Sequence, residues 1–271
     1  MEIGTGFSRL ADQAGFAVAY PDGLLESSGG QTNWAYFFNA FNDDVGFFRQ
    51  LINTLQASVG PDSKRIYVTG LPSGALMSHR LGVQLSDLVA ATGVLEGALF
   101  LKGNPPQVPS AVGPVSVLIL HGDRDKTVLY CGTPVDASQE QSFNYWSGNS
   151  ADTCSRFDTP AALCDGQGNI TAVVQKDATN CSGSTEVKFY KLIGGIHTWY
   201  AAPMNVPGQL PFNPDFNSST GIATRDILWS LFSASSGESV GDWYVSNRGP
   251  YISPCTRRRQ WRIAEPPFLF P

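Results

Sequence analysis

Ile66-Tyr67-Val68-Thr69-Gly70-Leu71-Pro72-Ser73-Gly74-Ala75, IYVTGLPSGA, is a run of strand-forming residues that breaks at a glycine and resumes with helical spacing. The helix reads from Ser73 to Leu85. Strand, Gly-x-x-x-Gly turn and helix together make the layout of a nucleophile elbow, whose pattern G-x-S-x-G needs serine in the middle. Here the middle residue is Pro72, and serine follows at 73. Proline is locked near φ of about −65°, has no hydroxyl and suits the first turn of a helix. An elbow nucleophile sits in a strained conformation instead. Two readings of Ser73 follow. As a displaced nucleophile it would have Leu71 and Ala75 where the flanking glycines belong, with Leu71 crowding the approach of strand to helix. Otherwise it is a helix-start serine.

Outward from this stretch, strand and helix signals alternate. Phe7, Leu10, Ala11 and Ala14 share one face of an amphipathic segment from Phe7 to Gly15, and Phe16 to Pro21 follows as a strand closed by Pro-Asp-Gly. Asp43 to Leu55 is a second helix with acids in its first turn and an apolar stripe of Val45, Phe48, Leu51, Ile52 and Leu55. Val115 to Leu120 and Val187 to Leu192 are strands, and Thr224 to Phe232 is a helix. Continuous apolar strands alternating with helices predict an α/β fold, a parallel sheet covered by helices on both faces. The expected organisation is one domain over 1–235, with a turn-rich insertion or cap at 131–184, and a tail at 236–271 that is Ser/Gly-rich, then basic, then Pro-rich.

The composition narrows the function. Hydrophobic residues are 42% of the 271 and charged residues only 15%, which fits a globular chain. A formal net charge of −5 at pH 7 argues against nucleic acid or an anionic membrane as a partner. No apolar run is long enough to span a bilayer. Cys131, Cys154, Cys164 and Cys181 cluster in the turn-rich segment without C-x-x-C spacing, a pattern that predicts two disulfides rather than a zinc site. Cys255 is left over. The disulfides imply an oxidising compartment, secreted or periplasmic, although the first residues show no secretion signal.

Three motifs occur in order: GLPSG after the first buried strand, His121-Gly122-Asp123-Arg124-Asp125 closing the next, and Gly194-Gly195-Ile196-His197-Thr198-Trp199 after the last. Nucleophile, acid and base in that order, each on a loop at the carboxyl end of a parallel strand, is the order of a Ser-Asp-His hydrolase of the α/β type. Asp125 is the expected acid and His197 the expected base, because a carboxylate can hold one imidazole nitrogen while the other faces the nucleophile. Asp123 is a second candidate acid or a turn residue. His121 is expected to order the turn, and His79 to sit on the helix after the elbow. Trp34, Trp199 and Tyr200 are candidates for lining a substrate cleft, against the alternative of core packing.

At GFAVAYPDG, DDVGFFRQLI, RIYVTGLPSGALMSHRL, VSVLILHGDRDKTVLYCG and KLIGGIHTW the chain resembles the polyhydroxybutyrate depolymerase and feruloyl esterase-like group of α/β-hydrolases, over roughly Gly6 to Phe232. The resemblance implies a secreted esterase acting on polyesters or aromatic plant-wall esters, with Asp125 and His197 in the triad and no metal or organic cofactor. It also implies that this chain is truncated at its N-terminus. The family's chain opens with strands that precede the Phe7 helix, one of them lying between the Phe16 and Ile66 strands, and with a His-Gly stretch that helps form the oxyanion hole. The sheet is therefore expected to close the gap, recruit the tail, or borrow a strand from a second copy in a homodimer. An inactive relative that binds an ester or glycan is the alternative to an ester hydrolase.

Overall fold

The computed structural model describes residues 5–25, 32–38, 42–101, 111, 113–149, 155–159, 172–200, 224–236, 243–247 and 263–264. In chain order these form α1 (Phe7–Ala14), β1 (Ala17–Ala19), the small antiparallel pair β2 (Leu24–Leu25) and β3 (Thr32–Asn33), α2 (Asp44–Val59), β4 (Ile66–Gly70) and α3 (Ser73–Gln84). Then follow β5 (Ala91–Leu95), β6 (Ser116–Gly122), α4 (Gln139–Asn144), β7 (Ser155–Thr159), β8 (Ala172–Thr179), β9 (Val187–Ile193), α5 (Thr224–Ala234), β10 (Trp243–Asn247) and β11 (Ile263–Ala264).

Nine strands make one sheet in the order β11-β1-β10-β4-β5-β6-β9-β8-β7. The six strands from β1 to β9 in that order are parallel, and β11, β8 and β7 add antiparallel edges. The expected α/β fold is present, with helices on both faces. Alternation along the strands sorts the core. Ile66, Val68, Val117 and Ile119 pack with Phe48, Leu51 and Ile52 of α2 and with Met77 and Leu81 of α3. Tyr67, Leu118 and Leu120 turn to the other face, against Phe7 and Ala11 of α1 and Leu228, Leu231 and Phe232 of α5. There Tyr67 stacks on Phe232 at 5.0 Å and its hydroxyl donates to the Ser235 carbonyl at 2.8 Å.

Local chemistry sets the helix ends. Asp43 caps α2 by accepting from the Gly46 amide at 2.8 Å, and the helix stops where Gly60 takes φ 66°. Ser138 and Gln141 form a capping box at the start of α4.

Three features bear on the sequence reading. The strand position between β1 and β4 is filled by β10 from the same chain, with Tyr244 in register with both Val18 and Tyr67. Recruitment of the tail is thus the outcome among the three foreseen. Described residues of the segment 131–184, expected as an insertion or cap, lie partly in the main sheet. They contribute α4 and the strands β7 and β8, and β8 pairs with β9 from Ala172↔Ile193 to Ala178↔Val187. The two predicted disulfides do not appear among the described residues. Cys131 is exposed, and Cys181 is buried with its thiol donating to the Ala178 carbonyl at 3.6 Å. Cys154, Cys164 and Cys255 lie outside the described residues. What ties α4 to the sheet is polar: Glu140 accepts from Lys176 Nζ of β8 at 2.5 Å and from the Tyr130 hydroxyl at 2.6 Å.

Because Val245 has Ala19 on one side and Val68 on the other, its amide faces a ladder partner in either direction. Val245→Pro removes that donor from the strand's middle and should lower unfolding stability by about 1–3 kcal/mol in urea titrations. An unchanged midpoint would place residues 243–247 outside the sheet.

Candidate active site

Because β4, β5, β6 and β9 are consecutive parallel strands, their carboxyl ends at Gly70, Leu95, Gly122 and Ile193 emerge along one edge. The turns after β6 and β9 then meet. A Cβ at Gly122 would fall 2.3 Å from the carbonyl carbon of Gly195, so only glycine lets the two backbones approach this closely. Arg124 N–H donates to the Gly195 carbonyl at 2.9 Å, and Gly194 N–H donates to Asp123 Oδ1 at 2.7 Å. Asp123 is thus a turn residue that ties the β9 loop down.

The contact brings the predicted acid and base together. His197 Nδ1 lies 2.6 Å from Asp125 Oδ2. Asp125 is buried, and its Oδ1 accepts from the amides of Thr127 at 2.7 Å and Val128 at 3.0 Å. Burial alone would push this carboxyl up. Hydrogen bonds from His121, His197 and the Thr127 amide outweigh it and hold Asp125 well below the usual carboxylate range. Its negative charge orients the ring so that Nδ1 carries the proton, leaving Nε2 as the free base nitrogen. Nε2 is buried and has no hydrogen-bond partner among the described residues. His121, wholly buried, donates from Nε2 to the Val128 carbonyl at 2.9 Å and so orders the Asp125 turn, as expected.

Glu96, one residue past β5, was not anticipated as a site residue. It is fully buried, adopts φ 49° and accepts the Gly122 amide with both carboxylate oxygens at 3.1 Å. Burial, with the nearby Asp125 charge, raises its carboxyl well above the ordinary range. The signal was present: from Leu88 to Leu101 Glu96 is the only charged residue in an apolar run, placed where β5 reaches the loop edge. Glu96, Asp125 and His197 each bring a ligand-type atom within 4.8 Å of the others, a grouping that a metal ion could use. The 2.6 Å approach of Nδ1 to Oδ2 is instead the distance of a shared proton.

The elbow keeps its packing and loses its strain. A Cβ at Gly70 would meet the Gly74 backbone at 2.5 Å, the close strand-to-helix approach that the pattern's glycines provide. Pro72 sits at φ −73°, ψ −43°, ordinary helical angles, as the N-cap of α3, and its carbonyl accepts the amides of Ala75 and Leu76 at 3.0 Å. Ser73 is the first residue of the helix and is half-buried. His79 lies on α3, where burial lowers its pKa to about 3, so its Nδ1 accepts the Trp146 indole N–H at 3.1 Å.

Trp34, Trp199 and Tyr200, the expected cleft residues, are at most 2% exposed. Trp34 packs on Phe47 and Phe48, Trp199 sets its edge to Phe7 at 6.2 Å, and the Tyr200 hydroxyl donates to the Ile196 carbonyl. Proximity to His197 in sequence carried two of them into the second core cluster rather than toward solvent.

No protein-family model matches the chain. It is similar to NocK of Nocardia uniformis subsp. tsuyamanensis, a protein named as a candidate esterase, at 24% identity over 230 residues, 79% of this chain and 63% of that one. It is also similar to the bifunctional acetylxylan esterase/xylanase XynS20E of Neocallimastix patriciarum, at 26% identity over 126 residues, 46% of this chain and 17% of that one. The chain therefore spans less than two thirds of either relative.

Gly122→Ala should force the two turns apart, costing about 1–3 kcal/mol of stability and breaking the Asp125–His197 hydrogen bond. Urea unfolding and the downfield Nδ1 proton resonance of His197 check this. Wild-type stability with the resonance intact would show that the turns do not touch.

Proposed function

We propose that the protein is a carboxylic ester hydrolase built on the α/β-hydrolase plan, with Asp125 as acid, His197 as base and Ser73 as the hydroxyl that carries the acyl group. The observation that carries this reading is the 2.6 Å pair of His197 Nδ1 and Asp125 Oδ2 on adjacent parallel-strand turns, with Nε2 unpartnered. In the proposed reaction Nε2 takes the Ser73 proton as Oγ attacks the ester carbonyl, and returns it to the departing alcohol. Water, deprotonated by the same nitrogen, then releases the acid. The ionised Asp125 stabilises the imidazolium formed in each half-reaction.

Two relatives carry esterase in their names, which supports an ester as substrate. The finer reading, from the motifs shared with polyhydroxybutyrate depolymerases and feruloyl esterases, is a hydroxyacyl polyester or an aromatic plant-wall ester, met outside the cytoplasm. The net charge of −5 supports neither nucleic acid nor an anionic membrane as partner. Among the described residues no helix is long and apolar enough to cross a membrane.

A second reading has its own observation. Pro72 holds the nucleophile position in relaxed helical angles, which favours a silent relative that binds an ester or glycan without cleaving it.

The two part on chemistry. With p-nitrophenyl acetate, an active Ser73 gives an acyl burst, and Ser73→Ala lowers kcat/KM by about 10³-fold or more. An organophosphonate should label Ser73, as peptide mass spectrometry would show. No label and no burst, with activity gained in Pro72→Ser, would establish the silent reading.

A further inference from the structure

Glu96 presents a problem of charge that the acid–base pair alone does not solve. Its carboxyl and that of Asp125 bring oxygens within 4.8 Å of each other inside the protein, and both are within reach of one ring nitrogen: His121 Nε2 is 3.5 Å from Glu96 Oε2 and 3.4 Å from Asp125 Oδ2. Two carboxylates this close in a buried site cannot both be ionised without a cation between them. The groups facing Glu96 are His121 and Asp125 from the turn after β6, and His197 and Tyr200 from the turn after β9. His121 turns its Nε2 proton to the Val128 carbonyl as well as to the two carboxyls, and its Nδ1 is buried without a partner among the described residues, so a second ring proton there would be an unsatisfied donor. Tyr200 gives its proton to the Ile196 carbonyl.

We propose that Glu96 and Asp125 hold one proton between them, carried on Glu96 and donated to Asp125, so that a single negative charge faces His197. The donors on each carboxyl assign the proton. Asp125 accepts two backbone amides and His197 Nδ1, which suits the charged form, whereas among the described residues Glu96 accepts one backbone amide, that of Gly122. Burial pushes Glu96 up while Asp125 is held down, the split expected of a carboxyl pair that shares a proton. The strained φ of 49° is what carries Glu96 into this position from the end of β5. Glu96 is therefore a positioning residue. It fixes Asp125 Oδ2 as the acceptor for His197 and keeps the charge opposite the imidazole at one rather than two. That functional part rests on the ester-hydrolase reading, whereas the shared proton does not.

The test is the pH dependence of unfolding in wild type and Glu96→Gln, which keeps the shape and donor of a neutral carboxyl and cannot ionise. A native state that retains a proton released on unfolding loses stability as pH rises above the ordinary glutamate range. The folding constant of wild type relative to Glu96→Gln should therefore fall as pH rises above the ordinary glutamate range, by up to about tenfold per pH unit. Parallel stability curves would overturn the proposal. If Glu96→Gln does not fold, carbon NMR of glutamate-labelled wild type at pH 7 should show one carboxyl in the protonated position, and its absence would overturn the proposal. A midpoint raised by added zinc in wild type, and lost in Glu96→Gln, would assign the carboxyls to a metal and also overturn it. No readout depends on ester turnover, so the shared proton and the hydrolase reading fail or stand separately.

Discussion

Gly122 and Gly195 touch backbone to backbone, and the geometry of the site depends on that contact. It can exist only because β6 and β9 are parallel neighbours, and only because neither turn carries a Cβ at the meeting point. From it follow the hydrogen bond that the Arg124 amide donates to the Gly195 carbonyl, the anchoring of Gly194 by Asp123, and the 2.6 Å hydrogen bond between His197 and Asp125. The same Gly122 offers its amide to Glu96. One residue without a side chain thus joins three strand ends, β5, β6 and β9, into a single charge system.

The elbow shows how far packing and chemistry can separate. Gly70 and Gly74 preserve the close crossing of β4 and α3, and core residues such as Val68 and Met77 fill in behind it. The strained residue that such a crossing presents in an active elbow is absent, since Pro72 occupies relaxed helical angles. The architecture tolerates this because the crossing depends on glycines, whereas strain at the tip contributes nothing to folding. The hydrogen bond between Asp125 and His197 therefore coexists with a relaxed residue at position 72.

Much of this was legible in the sequence, and the exceptions have physical causes. β4, β6 and β9 announce themselves as continuous apolar runs, and the helices α1, α2, α3 and α5 by their stripes. Asp125 and His197 follow from their places at strand ends. β5, Ala91 to Leu95, is harder because Ala and Gly carry little strand preference, and its burial comes from neighbours on both sides. Glu96 escaped notice because a lone acid after a strand reads as an ordinary turn residue, and its role appears only when β6 lies beside it. β8 was hidden inside a turn-rich segment whose cysteines suggested cross-links. Cys131 and Cys181 occupy an exposed turn and a buried one, and Glu140 with Lys176 links α4 to β8 instead.

The interior position of β10 has a kinetic meaning. Residues 243–247 pair with 17–19 on one side and 66–70 on the other. Until they arrive, β4 carries an open ladder on one flank, and the sheet is two unequal pieces rather than one. Contacts of such sequence separation are slow to close and leave the unpaired edge available to other chains meanwhile. A chain made from its N-terminus therefore leaves that flank of β4 without its native partner until residues 243–247 have been synthesised.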